Sequence, residues 1–287
     1  MKTRLFSVLL LLITISVAFA QDSGTLQLKD GAIYYETMGE GTPVVFLHGG
    51  FGDRRMWNDQ FAEFAKNYFV VRYDQRGFGK SAKPTDKYSP VSDLEMLLDH
   101  LKIDKAHLIG NSMGGYLAID FALQKPSRVR SITVVAAGPS GVEIPKEESD
   151  RMMAVFKLAK DEGLNKATAL WIQNPMIAIT TKLPKTAPLL KTMIEDNASI
   201  FEMRFWPFEQ TDPPAVKRLN EIKVPALIII GDKDTPGNQT AADAAATGIA
   251  GAKKVVMKDA DHLPQMDNPE EFNRIVKEFL STAVSCH

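Results

Sequence analysis

The chain has 287 residues, of which 45% are apolar and 24% charged; this balance predicts a large buried core and excludes global disorder. The formal net charge is −1, so nothing in it indicates nucleic acid or an anionic membrane surface as a partner. Because Cys286 is the single cysteine, an intrachain disulfide is excluded.

The N-terminal segment has the pattern of a secretory signal peptide. Lys2 and Arg4 supply a short positive region, residues 5–17 are nearly all apolar, and the sequence AFA at 18–20 is an A-x-A cleavage site. The apolar stretch is short for crossing roughly 30 Å of hydrocarbon, which disfavours a retained membrane anchor. We predict a signal peptide over residues 1–20, a secreted or periplasmic mature protein, and no stable membrane insertion after cleavage.

Strand and helix patterns then follow one another along the chain. TLQLKDGAIYYETMGEG alternates apolar and polar residues around Asp30-Gly31, which predicts an antiparallel hairpin. Six later segments carry the continuous apolar runs typical of strands buried on both faces: PVVFLHGG, FVVRYDQRGFG, AHLIGNSMGG, RSITVVAAG, ALIIIGDKD and KKVVMKDADH. Helical periodicity lies between several of them, as in MWNDQFAEFAKNY and SPVSDLEMLLDHLKI, where Ser89 or Ser92 is the candidate N-cap. The sequence therefore predicts an α/β fold, with a mostly parallel sheet and helices on both faces.

This alternation stops over residues 141–215, which contain helical patterns separated by prolines and no buried-strand run. An ordinary long crossover would explain such a stretch, but its length and its aromatic and methionine content favour a helical cap inserted over the carboxyl edge of the sheet. We therefore predict a core formed by residues 24–140 and 216–283, with the cap between its two parts.

Ser112 is the candidate nucleophile. It lies in GNSMG, residues 110–114, which fits the pattern G-x-S-x-G between the apolar HLI and the helical YLAIDFAL. A plain turn is the simpler interpretation of five such residues. The strand–turn–helix context favours a nucleophile elbow, in which small flanking residues permit a tight turn. A serine hydroxyl is a weak nucleophile at neutral pH, so it requires a base.

His262 is the candidate base among the five histidines. Its loop, DADHLPQMDNPEEF, follows an apolar strand, and the carboxyl ends of parallel strands meet at one edge of a sheet. The acid that orients such a histidine is expected in ALIIIGDKDTP, which ends a strand with two aspartates. Asp234, further out in the loop, is preferred, and Asp232 is the alternative.

An oxyanion that forms on the substrate needs backbone N–H donors. The amide of Met113, directly after the serine, is one candidate. The other is expected in the loop HGGFGDR, where we predict the amide of Gly50, with Phe51 as the alternative. His48 in this loop is expected to orient it by hydrogen bonding rather than to react. Candidate substrate-binding side chains are Phe51, Trp171 and Trp206, although apolar residues in a cap more often pack it against the core.

Five motifs, in this order, resemble the α/β-hydrolase superfamily in its cap-bearing branch: LHGGFGDRRMW, VVRYDQRGFGKS, LIGNSMGG, PALIIIGDKD and DADHLPQMDNPEEF. The likeness extends from about Gly41 to Phe279 apart from the cap. It implies that the family's triad positions are occupied by Ser112, Asp234 and His262, and its oxyanion positions by Gly50 and Met113. It also implies that the stretch containing Asp74 and Arg76 braces the site rather than reacting.

The resemblance implies a serine hydrolase that cleaves a small carboxylic ester or lactone through an acyl-serine intermediate. The motifs are similar to those of esterases, enol-lactonases and cofactor-free haloperoxidases. Serine at position 112 disfavours haloalkane dehalogenases and epoxide hydrolases, which carry aspartate there.

Two alternatives stay open at this stage. One is an aminopeptidase of the proline iminopeptidase type. Those enzymes usually have tryptophan where this chain has Met113, and they need cap carboxylates for the substrate amine, such as Glu195, Asp196 or Glu202. The other is a ligand-binding protein that keeps the hydrolase fold without turnover.

No cofactor motif is present in the sequence. The zinc patterns H-E-x-x-H and H-x-x-E-H and paired cysteines are absent, and GNSMGG does not fit G-x-G-x-x-G in register. We predict no metal and no cofactor, and a small-molecule ester or lactone as the partner.

Overall fold

The structure, a computed structural model, describes residues 20–202 and 211–283. Nearly all of the predicted signal peptide, and Trp206, lie outside these residues. The strands are β1 (Asp22–Leu28), β2 (Gly31–Met38), β3 (Pro43–Leu47), β4 (Phe69–Tyr73), β5 (Ala106–Asn111), β6 (Val129–Val135), β7 (Ala226–Gly231) and β8 (Lys253–Met257). The α-helices are α1 (Asn58–Phe64), α2 (Pro90–His100), α3 (Met113–Gln124), α4 (Lys146–Glu162), α5 (Leu164–Ile172), α6 (Ala187–Asp196), α7 (Pro236–Gly248), α8 (Pro264–Asp267) and α9 (Pro269–Ala283).

The eight strands form one sheet in the order β1-β2-β4-β3-β5-β6-β7-β8. β1 and β2 make the predicted antiparallel hairpin, and β2 pairs antiparallel with β4. From β4 to β8 each neighbouring pair is parallel. The predicted α/β architecture with a mostly parallel sheet is therefore confirmed, and the carboxyl ends of β3, β5, β7 and β8 meet at one edge.

Burial follows the position of each strand in the sheet. β5 and β7 are buried at every residue because strands flank them on both sides and helices cover them. The prediction that KKVVMKDADH begins with a buried strand was wrong. Among the described strands β8 is the last in the sheet, so none of them covers its outer side. Four of its five residues are exposed or half-buried, and Val256 is 49% exposed.

Helix α2 begins at a side-chain N-cap. Ser89, rather than Ser92, is the N-cap of α2, because the Ser89 hydroxyl accepts a hydrogen bond from the Ser92 N–H at 3.2 Å. α9 buries one apolar stripe that includes Phe272, Ile275 and Val276. In the described residues, no helix has the length and apolar character needed to cross a membrane.

The stretch predicted as the cap contains helices α4, α5 and α6. They pack on one another and on a short 3₁₀ segment, Ala198–Glu202. The described residues between 141 and 202 form no strand. Trp171 on α5 and Phe201 stack against Phe51 of the loop after β3, with ring centroids 4.2 and 4.9 Å apart. Aromatic packing therefore joins the helical segment to the sheet edge.

Candidate active site

Ser112 occupies a strained turn between β5 and α3. Its backbone has φ 50° and ψ −115°, which side-chain-bearing residues rarely adopt and which costs about 1–3 kcal/mol. A Cβ atom at Gly110 would lie 2.1 Å from the Gly114 carbonyl oxygen, and one at Gly114 would lie 2.2 Å from the Leu47 carbonyl oxygen. The two glycines of G-x-S-x-G are therefore required by close backbone approach.

His262 lies against Asp234 at the same sheet edge. The distance from His262 Nδ1 to Asp234 Oδ2 is 3.0 Å. The second oxygen of this carboxylate, Oδ1, accepts a hydrogen bond from the Thr235 N–H at 2.7 Å. Asp232, the alternative acid, instead pairs with Lys233 at 3.0 Å. The structure thus brings Asp234, and not Asp232, to the histidine.

The backbone of His262 is fixed on both sides. Its N–H donates to the Met176 carbonyl at 3.1 Å, and its carbonyl accepts from Asn111 Nδ2 at 2.9 Å. Burial lowers the pKa of His262, but the charge and hydrogen bond of Asp234 raise it, and the net pKa lies above the ordinary value. Asp234 thus favours the imidazolium that proton uptake would produce.

Ser112 and His262 line one cavity of about 900 Å³. Among the described residues, no hydrogen bond joins the Ser112 hydroxyl to the imidazole, and contacts of this kind often tighten only when substrate is bound. Gly50, Phe51, Met113 and Trp171 line the same cavity. Of the three predicted substrate-binding side chains, the two in described residues, Phe51 and Trp171, therefore lie at the cavity wall.

The loop after β3 is held by a buried histidine. His48 Nε2 accepts from the Gln75 N–H at 2.9 Å, so Nδ1 carries the proton and donates to the Gly49 carbonyl at 2.8 Å. Burial lowers the pKa of His48, which keeps the ring neutral and suited to these two roles. His48 thus orients the loop, as the sequence predicts. Phe51 in this loop has φ 60°.

Asp74 and Arg76 have structural partners. Asp74 is fully buried, and its carboxylate accepts hydrogen bonds from the Arg54 backbone N–H at 2.9 Å, the Arg54 guanidinium at 2.8 Å and the Lys80 N–H at 2.9 Å. Arg76 makes two bonds of 2.7 Å to Asp93. These groups brace the loops around the site.

Two features of the site lack a sequence signal of their own. The first is Asn238, whose Nδ2 lies 2.7 Å from Asp234 Oδ1 and 2.9 Å from His262 Nδ1. The sequence shows only that Pro236 starts a helix after the aspartate.

The second is a pair of carboxyl groups, the buried Asp261 and the half-buried Asp267, which meets at Thr180. The Thr180 hydroxyl lies 3.0 Å from Asp261 Oδ1 and 2.6 Å from Asp267 Oδ1. The Thr180 hydroxyl has one hydrogen and can donate to only one of these two oxygens. The other contact is a hydrogen bond only when the carboxyl group there is protonated and donates to the hydroxyl oxygen. Burial and the nearby Asp261 charge raise the pKa of Asp267 to about 7. No residue pattern marks this pair before folding.

In residues 20–202 and 211–283, no group of three or more His, Cys, Asp or Glu side chains has an arrangement that could hold a metal ion.

A mostly parallel sheet with a serine on the tight turn between a central strand and the following helix is the architecture of an α/β hydrolase. The family model for the alpha/beta hydrolase fold matches residues 42–269. The chain belongs to this family and is an enzyme of the hydrolase class.

Relatives with known names are hydrolases as well. A 2-hydroxy-6-oxononadienedioate/2-hydroxy-6-oxononatrienedioate hydrolase of Burkholderia vietnamiensis is 31% identical over 276 residues, which cover 88% of this chain and 93% of the relative. The structure of an enol-lactonase from Burkholderia xenovorans is 25% identical with a TM-score of 0.75, covering 90% of this chain and 100% of the other. That of a thermophilic esterase from Thermogutta terrifontis is 25% identical with a TM-score of 0.77, covering 91% and 99%. The predicted superfamily is confirmed.

Proposed function

We propose that this hydrolase cleaves a carboxylic ester or lactone through an acyl-serine intermediate. The observation that carries the proposal is that His262, paired with Asp234 at 3.0 Å, lines the same cavity as the strained Ser112. Ser112 is the nucleophile, His262 the general base and acid, and Asp234 the group that orients the imidazole.

The reaction has two halves. Ser112 Oγ attacks the substrate carbonyl carbon while His262 Nε2 takes the hydroxyl proton, and Nδ1–H donates to Asp234. The amides of Met113 and Gly50 donate to the oxyanion of the tetrahedral intermediate. The intermediate collapses, and the leaving alcohol receives the proton from His262. Water then attacks the acyl-serine, again with His262 as base, and release of the acid restores the Ser112 hydroxyl.

The charges around the cavity favour an uncharged substrate. Among the described residues that line it, Arg218 is the one lysine or arginine. Its guanidinium already donates to Glu221 at 3.1 and 2.8 Å and lies in the field of Asp120. A dianionic substrate, such as the dioates in the names of the relatives, would meet the carboxylates of Asp120 and Glu148, and the described lining residues offer it no unpaired cation. A neutral ester or lactone avoids this desolvation cost.

The three carboxylates named for the aminopeptidase alternative give it no support. Asp196 pairs with Arg55 at 2.8 Å, and Glu195 lies 3.8 Å from Lys191. Neither these two carboxylates nor Glu202 line the cavity. Only a measurement of turnover distinguishes the ligand-binding alternative from the proposed hydrolase.

The test is covalent labelling with a fluorophosphonate probe, followed by peptide mass spectrometry. We expect label on Ser112 in the wild type and its loss in Ser112→Ala and His262→Ala. Ser149→Ala is the matched control, because Ser149 also lines the cavity and its loss should leave the label in place. A folded wild type that takes no label and hydrolyses no ester or lactone would remove the proposal and leave the ligand-binding alternative.

A substrate panel then tests the charge argument. Neutral short-chain esters and lactones should be hydrolysed with a higher kcat/KM than the same esters that carry an added terminal carboxylate. Equal values would contradict the argument from Arg218, Asp120 and Glu148.

A further inference from the structure

Asn238 lies beside both members of the acid–histidine pair. It is the third residue of α7, and from this first turn its side chain reaches back four residues to Asp234. The same nitrogen, Nδ2, is 2.7 Å from Asp234 Oδ1 and 2.9 Å from His262 Nδ1. Rotating the amide by 180° would place its oxygen against the carboxylate oxygen, so the orientation with Nδ2 toward Asp234 is favoured.

The proton count at His262 limits what Asn238 can do. Nδ1 accepts a hydrogen bond only when it carries no proton, and it then has nothing to donate to Asp234 Oδ2. When the ring is an imidazolium, Nδ1–H donates to Asp234, and the N–H of Asn238 faces a group that cannot accept. The neutral tautomer that accepts the serine proton at Nε2 carries its own proton on Nδ1, as the imidazolium does. The Asn238 N–H therefore faces Nδ1–H in both forms, and its positive end opposes the added charge of the imidazolium.

We propose that Asn238 is a positioning residue, which fixes the Asp234 carboxylate against His262 and disfavours the imidazolium form. The inference rests on the proposed function, since it assigns Asn238 a role in that catalytic machinery. One N–H holds Asp234 Oδ1 and disperses its negative charge, and the second lies against Nδ1. Asn238 thus lowers the pH at which the Nδ1–H tautomer of His262 takes up a second proton, and so keeps Nε2 free to accept the serine proton at a lower pH than Asp234 alone would allow.

The other groups that face His262 act in the opposite direction. Asp234 faces it from the loop between β7 and α7, and Asp261 and Asp267 act from its own loop and α8; the charges of all three carboxylates favour the imidazolium. The cap segment presents the uncharged Met176 carbonyl, and the elbow presents Ser112. Asn238 is the polar side chain in this set that opposes protonation.

The test measures the titration of His262 by two independent methods. The first is the acid limb of the pH profile of kcat/KM for a neutral ester. The second is the ¹⁵N NMR titration of the His262 ring, assigned with His262→Gln. We expect Asn238→Leu to move both to higher pH by about half to one unit. It should also lower kcat/KM at neutral pH about tenfold, through loss of one hydrogen bond to a charged group.

Two further variants complete the design. Asn238→Asp keeps the shape of the side chain but puts a carboxylate beside Nδ1, so it should move the His262 titration to a still higher pH. It also provides the test if the leucine variant does not fold. Thr240→Ala is the matched control on the same helix, since this exposed hydroxyl donates to the Pro236 carbonyl. The His262 titration and kcat/KM of this variant should equal those of the wild type.

The outcomes for Asn238 and for the proposed function are distinguishable. An Asn238→Leu protein with the wild-type His262 titration and kcat/KM overturns the inference while ester hydrolysis stands. If the wild type hydrolyses no ester, the proposed function fails, and the NMR titration still decides whether Asn238 controls the imidazole.

Discussion

Replacing Asp267 with asparagine should remove a defined part of the pH dependence of stability. The wild-type carboxyl sits beside Asp261 and Thr180 with its pKa raised to about 7. Its Oδ2 also accepts the Asp261 N–H at 2.8 Å. The amide oxygen of an asparagine can accept the Asp261 N–H, and its N–H can donate where the protonated carboxyl group donates. Asp267→Asn therefore keeps these hydrogen bonds but has no titrating proton.

The magnitude follows from the proton affinity of the two states. In the unfolded chain an aspartate has a pKa of about 3.9, so the folded state binds this proton more tightly. The resulting stabilisation is complete below pH about 4 and is lost as the pH rises through about 7. Between pH 6 and pH 8 a folded-state pKa of about 7 removes about 1.4 kcal/mol from the free energy of unfolding.

The assay is urea unfolding of wild type and Asp267→Asn at pH 6 and pH 8. We expect the wild type to lose about 1.4 kcal/mol more than the variant over this interval. Repeating the pair in a His262→Gln background removes the titration of the neighbouring histidine. Asp232→Asn is the control, because Lys233 lowers the pKa of that exposed aspartate and its loss should not alter the slope between these pH values. Equal losses in wild type and Asp267→Asn would refute the shared-proton interpretation.

Three further predictions concern the elbow and the acid. Ser112→Gly and Ser112→Ala should both abolish hydrolysis. In denaturant unfolding the glycine variant should be more stable than the alanine variant by about 1 kcal/mol, because glycine adopts the positive φ without strain. The reverse order of stability would argue against strain at this position. Gly114→Ala should cost about 3 kcal/mol of unfolding free energy through the clash with the Leu47 carbonyl, and a cost near zero would contradict the close approach. Asp234→Asn should lower kcat by about 10³–10⁴-fold while Asp232→Asn stays near wild type, and the opposite result in the same ester assay would reassign the acid.

The sheet and the elbow are predictable from sequence because both depend on local pattern. Unbroken apolar runs mark β3, β5 and β7, whose neighbours in the sheet bury them. The glycines at 110 and 114 mark a turn whose backbone segments nearly touch. The order of serine, aspartate and histidine along the chain then follows from the strand ends that the fold brings together.

Other features depend on contacts between distant parts of the chain. The exposure of β8 depends on its place at the edge of the sheet, which KKVVM does not encode. Thr180 and Asp267 are 87 residues apart in sequence and meet only because of the path of the segment between β6 and β7. The contact of Asn238 with His262 requires the exact side-chain directions of one residue on α7 and one in the loop after β8. The signal peptide, the export that it implies and the role of Trp206 stay predictions, since they concern residues outside those described.

The ring packing of Phe51 links substrate access to the geometry of the oxyanion loop. Phe51 follows Gly50, the proposed oxyanion donor, and adopts φ 60° while Trp171 on α5 and Phe201 pack against its ring. If α5 and the Ala198–Glu202 segment moved outward to admit substrate, both rings would leave Phe51, and its uncommon backbone angle would lose these contacts. The open enzyme would then have an imperfect oxyanion loop, and re-closure over the substrate would restore it. The same helical segment would thus control both substrate entry and the geometry of the oxyanion loop, so that binding and catalysis would occur one after the other.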